Sequence, residues 1–306
     1  MRGLDSTAWR RWIAALLVLG LAASACSGDD SDDGASDPTD STEEDTTEPV
    51  RGGTLVYAVE ADTSQPWDPT AMLCAAACHS TVGRTIFEPL AMVGDDGEVV
   101  PYLLETITPN DDATVFTLKL REGIRFHDGT ELTADVVAFN MERQREGLLV
   151  GPYVRLISGV ESDGAYTVTV TLSDSWSDFP YALNSQFGYV GSQEWELASD
   201  SDPSLKTQPV GTGPFKFTSY ESGENGNLKA ERFEDYWRGD GEASLTDEGL
   251  PYLDGIEVRF MPSGQARTDA LKAGDIDLLQ TSSGLEIDDL ESAEGIVSDV
   301  LDEPIL

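Results

Sequence analysis

The stretch VFTLKLREGIRFHDGTELTADVVAFNMER, running from Val115 to Arg143, sets the reading of the whole chain. Phe116, Leu118 and Leu120 alternate with Thr117 and Lys119, the period of a strand with one buried face. Glu122-Gly123 and His127-Asp128-Gly129-Thr130 are turn signals on either side of a short apolar pair, Ile124 and Phe126. Thr133 stands where a helix cap belongs, with Asp135 in the first turn, where the macrodipole favours an anion. Val136, Val137, Phe139 and Asn140 carry the helix onward, its apolar positions spaced to face a core. A second strict alternation, Tyr166 to Leu172, predicts the strand that pairs with Val115–Leu120. The expected unit is a small sheet with a helix against it.

Composition narrows the function. The 306 residues are 40% hydrophobic, enough for one large or two ordinary domains. With 57 acidic and 19 basic residues the net charge is −38, which argues against any grip on the phosphate backbone of nucleic acid. Such acidity speaks first to solubility, for instance in a salty medium, and second to cationic ligands. The three cysteines, Cys26, Cys74 and Cys78, lack the spacing of a zinc site, and His79 and His127 are too few to complete one. No metal and no cofactor is expected.

The words Phe116-Thr117-Leu118, Leu120 to Gly129 (LREGIRFHDG) and Leu132-Thr133-Ala134-Asp135-Val136-Val137 together resemble a signature of the family 5 solute-binding proteins of ABC transporters. These are extracytoplasmic receptors for dipeptides, oligopeptides and related solutes. Further words fit the same pattern: Gly52 to Val59 as a first strand, Asp68-Pro69 after it, Val82 to Leu90 leading to a small strand pair, and Val210 to Phe217 as a turn into a hairpin. Phe233 to Trp237, Pro251 to Phe260, and the turn Ala273 to Asp277 after a helix closed by Gly274 complete the series. The resemblance implies an α/β fold, the first lobe of a type II periplasmic-binding-protein-like architecture with a small inserted α+β subdomain. It divides the chain into a signal peptide (1–25), a disordered acidic tether (26–50), an opening segment of lobe I (51–88), the inserted subdomain (89–205) and a returning segment of lobe I that stops at the hinge (206–306). Ile296 to Leu306 reads as a last strand, with the second lobe lying beyond this chain. In that scheme Val115–Arg143 belongs to the scaffold subdomain, away from the ligand.

The N-terminus carries an address. Arg2, Arg10 and Arg11 precede an apolar run from Trp12 to about Ala23, too short for a membrane span, and small residues lead to Cys26. Ala23-Ser24-Ala25 suits ordinary signal peptidase, whereas Ser24-Ala25-Cys26 looks like the end of a bacterial lipobox. Ser27 to Glu48 is almost devoid of apolar residues and cannot bury enough surface to fold. A flexible tether directly after a cysteine favours lipidation at Cys26, stable anchoring taking more than one acyl chain; the alternative is a secreted protein with a spare thiol. An exported chain meets an oxidising compartment, so Cys74 and Cys78 are a candidate disulfide. A regular helix over Met72–His79 would instead leave both thiols free.

The loop Glu60 to Pro69 is rich in chain breakers. By resemblance it lines the ligand cleft, which makes Glu60, Ala61, Asp62, Thr63 and Trp67 candidate contacts to an extended ligand. An Asx-type turn with Trp67 packed beneath it is an equal reading. Glu88, ahead of Pro89, is expected to face solvent or cap a neighbour, and His127 and Asp128 to be turn residues. The aromatics Trp176, Phe179, Tyr181, Phe187, Tyr189 and Trp195 are expected mainly as core packing.

No enzyme is expected. Gly211-Thr212-Gly213 lacks a following Gly-Lys-Ser/Thr, and Pro214 removes an amide donor, so it is no phosphate loop. There is no nucleophile elbow, and neither histidine stands in a catalytic context. The expected function is a monomeric extracytoplasmic lipoprotein that captures di- or oligopeptides and delivers them to ABC permease subunits in the membrane. The alternatives are an oligosaccharide, nickel complex or opine as ligand, or a sensor or folding helper without transport.

Overall fold

The computed structural model describes residues 49–62, 67–72, 83–94, 96–246 and 248–299. Cys26, Thr63, Cys74, Cys78 and His79 lie outside them, as do the signal and almost all of the tether. Two sheets organise the described residues. The first has five strands in the order β11-β1-β10-β9-β8. It combines β1 (Thr54–Val59) with β8 (Phe215–Glu221), β9 (Asn227–Arg232), β10 (Gly255–Phe260) and β11 (Leu278–Leu279). β1 runs parallel to β10 and β11, while β9 is antiparallel to both β10 and β8. The second sheet is antiparallel, β4-β5-β7-β6, from β4 (Leu104–Pro109), β5 (Val115–Leu120), β6 (Ile157–Ser162) and β7 (Thr167–Leu172). A hairpin of β2 (Ala91–Val93) and β3 (Val99–Pro101) stands between them in sequence.

The α-helices among the described residues are α1 (Arg84–Ile86), α2 (Ala134–Glu146), α3 (Phe179–Ala182), α4 (Gln193–Ser201), α5 (Gly264–Ala273) and α6 (Gly284–Glu291). The expected unit is present: Phe116, Leu118 and Leu120 are buried, Thr117 and Lys119 are exposed, and β5 pairs with β7 antiparallel. α2 lies against β6 and β7 with Thr133 at its N-cap position, although the threonine side chain makes no capping bond. One core fills this unit, with Phe116, Met141, Val168, Phe179 and Phe187 among its members. A second lies on the five-stranded sheet, around Trp67, Phe87, Tyr189, Trp195 and Phe260. Of the aromatics expected in the core, Tyr181 alone is largely exposed, its hydroxyl donating to Gly97 O at 2.9 Å.

Gly211 and Gly213 explain how the units join. A Cβ at Gly211 would sit 2.1 Å from Ile86 O and one at Gly213 2.6 Å from the same atom, so only glycine lets this turn press onto α1. His127 closes it from the other side. Gly211 N–H donates to His127 Nδ1 at 3.3 Å, which leaves the proton on Nε2 to donate to Gly213 O at 2.9 Å. Burial pushes the imidazole pKa down to about 4, as expected of a neutral ring enclosed by backbone. His127 is therefore a buried strut as well as a turn residue, while Asp128 keeps the turn role, its Oδ1 accepting from Thr130 N and Oγ1.

Two expectations are corrected. Glu88 does not face solvent: it is buried between the cores and accepts from Tyr236 Oη at 2.6 Å and Trp237 Nε1 at 3.0 Å. Burial raises its pKa to about 7, against the pull of those donors. The cause lies in the aromatic pair Tyr236-Trp237, which folds back from a distant region of the chain to enclose Glu88. Of the strand read from Ile296 to Leu306, residues 296–299 form none and residues 300–306 lie outside the described residues.

Candidate functional site

In open α/β sheets, ligands collect outside the carboxyl ends of the parallel strands. Here β1, β10 and β11 end on one edge, followed by Glu60–Asp62, Met261–Ser263 and Gln280–Ser283. β1 and β11 are locked in register ahead of that edge. Asp277 N–H donates to Val56 O while Val56 N–H donates to Asp277 Oδ2, both at 2.8 Å, which gives the turn before β11 its reason for an aspartate. Tyr57 Oη donates to Gln280 Oε1 at 3.1 Å across the same edge.

The candidates in the loop after β1 divide. Glu60 and Ala61 are exposed on the edge. Asp62 is half-buried and fastened: its Oδ2 accepts from Tyr220 Oη at 2.6 Å and from Gly223 N–H at 3.1 Å, tying the loop to the β8–β9 hairpin. Burial and that short hydrogen bond raise the Tyr220 pKa well above its ordinary value. Trp67 is wholly buried, its ring edge-on to Tyr220 at 5.8 Å, and offers no surface to a ligand in this arrangement.

Beyond Trp67 the chain enters a cluster of buried charge. Asp68, almost wholly enclosed, accepts through Oδ1 from Thr70 N–H at 2.9 Å and Thr70 Oγ1 at 2.6 Å. Its Oδ2 lies 3.1 Å from Lys206 Nζ and 4.0 Å from Arg143 Nη2. Arg143, from the last turn of α2, also reaches Glu196 at 2.7 Å and Asp200 at 2.9 Å on α4. The main chain is held too, with Trp67 N–H donating to Lys206 O at 2.9 Å and Gln186 Nε2 donating to Pro69 O at 2.7 Å. Burial raises Glu196 to about 8, with Asp68 and Asp200 adding and Arg143 opposing. Arg143, Glu196, Lys206, Gln186 and Tyr220 were not among the sequence candidates; each meets the loop only through contacts distant in the chain, and no local motif marks them. Among the described residues, no group of three or more His, Cys, Asp or Glu is placed to hold a metal ion. No helix among them is long and apolar enough to cross a membrane.

The strand ends thus present Glu60 and Ala61 to solvent beside a cluster of buried charge. The family model described as "Bacterial extracellular solute-binding proteins, family 5 Middle" matches residues 98–304. The oligopeptide-binding protein AppA of Bacillus subtilis is 26% identical over 279 residues, covering 86% of this chain and 46% of AppA. Among solved structures, AgaA of A. tumefaciens R10 in complex with agropinic acid superposes with a TM-score of 0.69 at 27% identity, covering 79% of this chain and 46% of that one. DppA of Helicobacter pylori in complex with the peptide STSA gives 0.66 at 26% identity, covering 81% and 50%. The chain thus spans about half the length of these relatives.

Proposed function

Because the chain belongs to the family 5 bacterial extracellular solute-binding proteins, we propose that it captures a di- or oligopeptide on the edge of its five-stranded sheet and delivers it to the permease of an ABC importer. The fold is the first lobe of a periplasmic-binding-protein architecture, and the role is binding without catalysis. The observation that carries the reading is the edge itself: three parallel strands end together, and the loop after β1 presents Glu60 and Ala61 while Asp62 is held behind them. An extended peptide laid across these strand ends can bond its backbone to the loops that follow them, with side-chain selection left to neighbouring pockets. A second lobe closing by a hinge would complete the enclosure. The peptide preference draws support from the relatives named for oligopeptides and from DppA with its bound peptide. The second reading, a solute other than peptide, draws on the likeness to AgaA with agropinic acid.

The protein works in this reading as a monomer on the outer face of the cytoplasmic membrane, exported by its signal and held by lipid on Cys26. Thermal-shift screening against the peptide STSA, a random peptide library, a sugar panel and agropinic acid tests the ligand class. Peptide shifts support the proposal, and shifts with sugars or agropinic acid alone overturn the peptide assignment. Cys26→Ser tests the anchor: the protein should move from the membrane fraction to the soluble exported fraction.

A further inference from the structure

We propose that Arg143 and Glu196 are positioning residues for the segment 67–72 after β1, and that a proton held on Glu196 keeps this segment seated. The proposal rests on the reading that the loop after β1 faces the ligand, and it names how that site is regulated. Residues 67–72 meet the sheet from which β1 emerges through the Trp67 ring on Tyr220 of β8, and their polar groups are held elsewhere. They are held from the side, by Arg143 of α2, by Lys206 of the short 3₁₀ turn Pro203–Thr207, and by Gln186, whose amide donates to both Pro69 O and Met72 O. Glu196 stands behind these cations as the innermost acid.

The groups facing Glu196 come from every neighbouring element. α2 supplies Arg143 at 2.7 Å, the segment after β1 supplies Asp68, α4 itself supplies Asp200, and the 3₁₀ turn supplies Lys206. Gly191 closes the remaining side: a Cβ there would sit 2.9 Å from Glu196 Oε1. Arg143 Nε lies 2.7 Å from Glu196 Oε2 but is not aligned as a hydrogen bond, and neither carboxylate oxygen accepts one although the side chain is fully buried. The arrangement therefore supports ionised Glu196 poorly. Three acids, Asp68, Asp200 and Glu196, share two cations, Arg143 and Lys206, so a charge on Glu196 leaves the cluster one negative charge in excess. Removing a proton from Glu196 puts that excess charge into the mount, and opening the mount relieves it by letting water reach the carboxylate.

Linkage gives the size. Glu196 is raised from 4.5 to about 8 in the closed mount, and an opened mount returns it to its ordinary value. The opening equilibrium should then rise about 50-fold between pH 6 and pH 8 and level off above that. Hydrogen exchange of the full chain reads this directly, once corrected for the pH dependence of intrinsic exchange. The reporters are the amides of Trp67, Ala71 and Met72, which donate to Lys206 O and Asp68 O. Wild type should lose protection by that factor, and Glu196→Gln should be flat to within a few-fold. Asp200→Asn, which removes a partly exposed neighbouring charge, should bring the levelling to lower pH, so the test survives if Glu196→Gln fails to fold. Amides of Phe116 and Leu118, inside the other sheet, should not follow. Equal pH dependence in wild type and Glu196→Gln overturns the proposal, and so does loss of protection in β5 in parallel with the segment. The readout needs no ligand, so failure of the peptide assignment in the thermal-shift screen is distinguishable from failure of the mount.

Discussion

Replacing Glu88 by Gln should change how stability depends on pH. The carboxyl is buried and its pKa is raised from 4.5 to about 7. At about 1.4 kcal/mol per unit, ionising it in the folded state costs about 3 kcal/mol relative to ionising it in the unfolded chain. The sign follows from proton counting. Between about pH 4.5 and pH 7 the folded state holds a proton that the unfolded state has released. Glu88 therefore contributes most below its unfolded value, and that contribution is lost as pH rises through the folded value. His127 acts in the opposite sense: lowered from 6.5 to about 4, it contributes above its unfolded value and loses that contribution as pH falls. The two partly cancel in wild type, so the single variants carry the test. Urea unfolding at pH 4.5, 6 and 8 should show the wild-type minus Glu88→Gln difference shifting by about 3 kcal/mol against wild type as pH rises. A glutamine keeps one acceptor oxygen for Trp237 Nε1 and can turn its amide N–H toward Tyr236 Oη, so the loss of fit is a constant offset rather than a slope. A difference that is independent of pH would refute the reasoning and mean that Glu88 stays ionised throughout.

Further outcomes follow from the same contacts. His127→Asn should remove an acid-side loss of about 3 kcal/mol between pH 6.5 and pH 4, measured by the same titration. Gly211→Ala should destabilise by several kcal/mol, since its Cβ would meet Ile86 O at 2.1 Å; an unchanged thermal midpoint would show that the turn can move away from α1. Phe116→Ala should cost about 3–5 kcal/mol in urea unfolding because the ring is fully buried against Phe179. With a net charge of −38 the thermal midpoint should climb from about 0.1 M to about 1 M NaCl, as the Debye length shrinks from roughly 10 to roughly 3 Å. A midpoint indifferent to salt would place the acids too far apart to repel.

Legibility in the sequence tracked the distance between partners. β5, β7, α2 and the glycine stop of α5 announce themselves through residues a few positions apart, where period, cap and turn chemistry act. Glu88 misled because Glu-Pro has the look of a surface turn, whereas its donors lie 148 and 149 residues onward. The loop after β1 shows the same division. Its breakers could be read directly, but Asp62 is held by Tyr220 across 158 residues and Asp68 by Lys206 across 138. No period marks a carboxylate as bound when its partner is that remote.

The stretch from Val115 to Arg143 reads from sequence as scaffold, with the ligand decided elsewhere. Its contacts brace the surroundings of the loop after β1 at two points and reach the loop at a third. His127 grips the glycine turn that presses on α1. Asp128 Oδ2 accepts from Ser192 Oγ at 2.5 Å, and Ser192 caps α4, the helix bearing Glu196 and Asp200. The last residue of the stretch, Arg143, meets both of those acids and reaches toward Asp68. A run that must at once supply a buried strand, a tight turn with a neutral histidine and a helix ending on a shared arginine has little freedom to vary. That is a physical reason for it to identify the family better than the loop after β1 does, since Glu60 and Ala61 there are exposed.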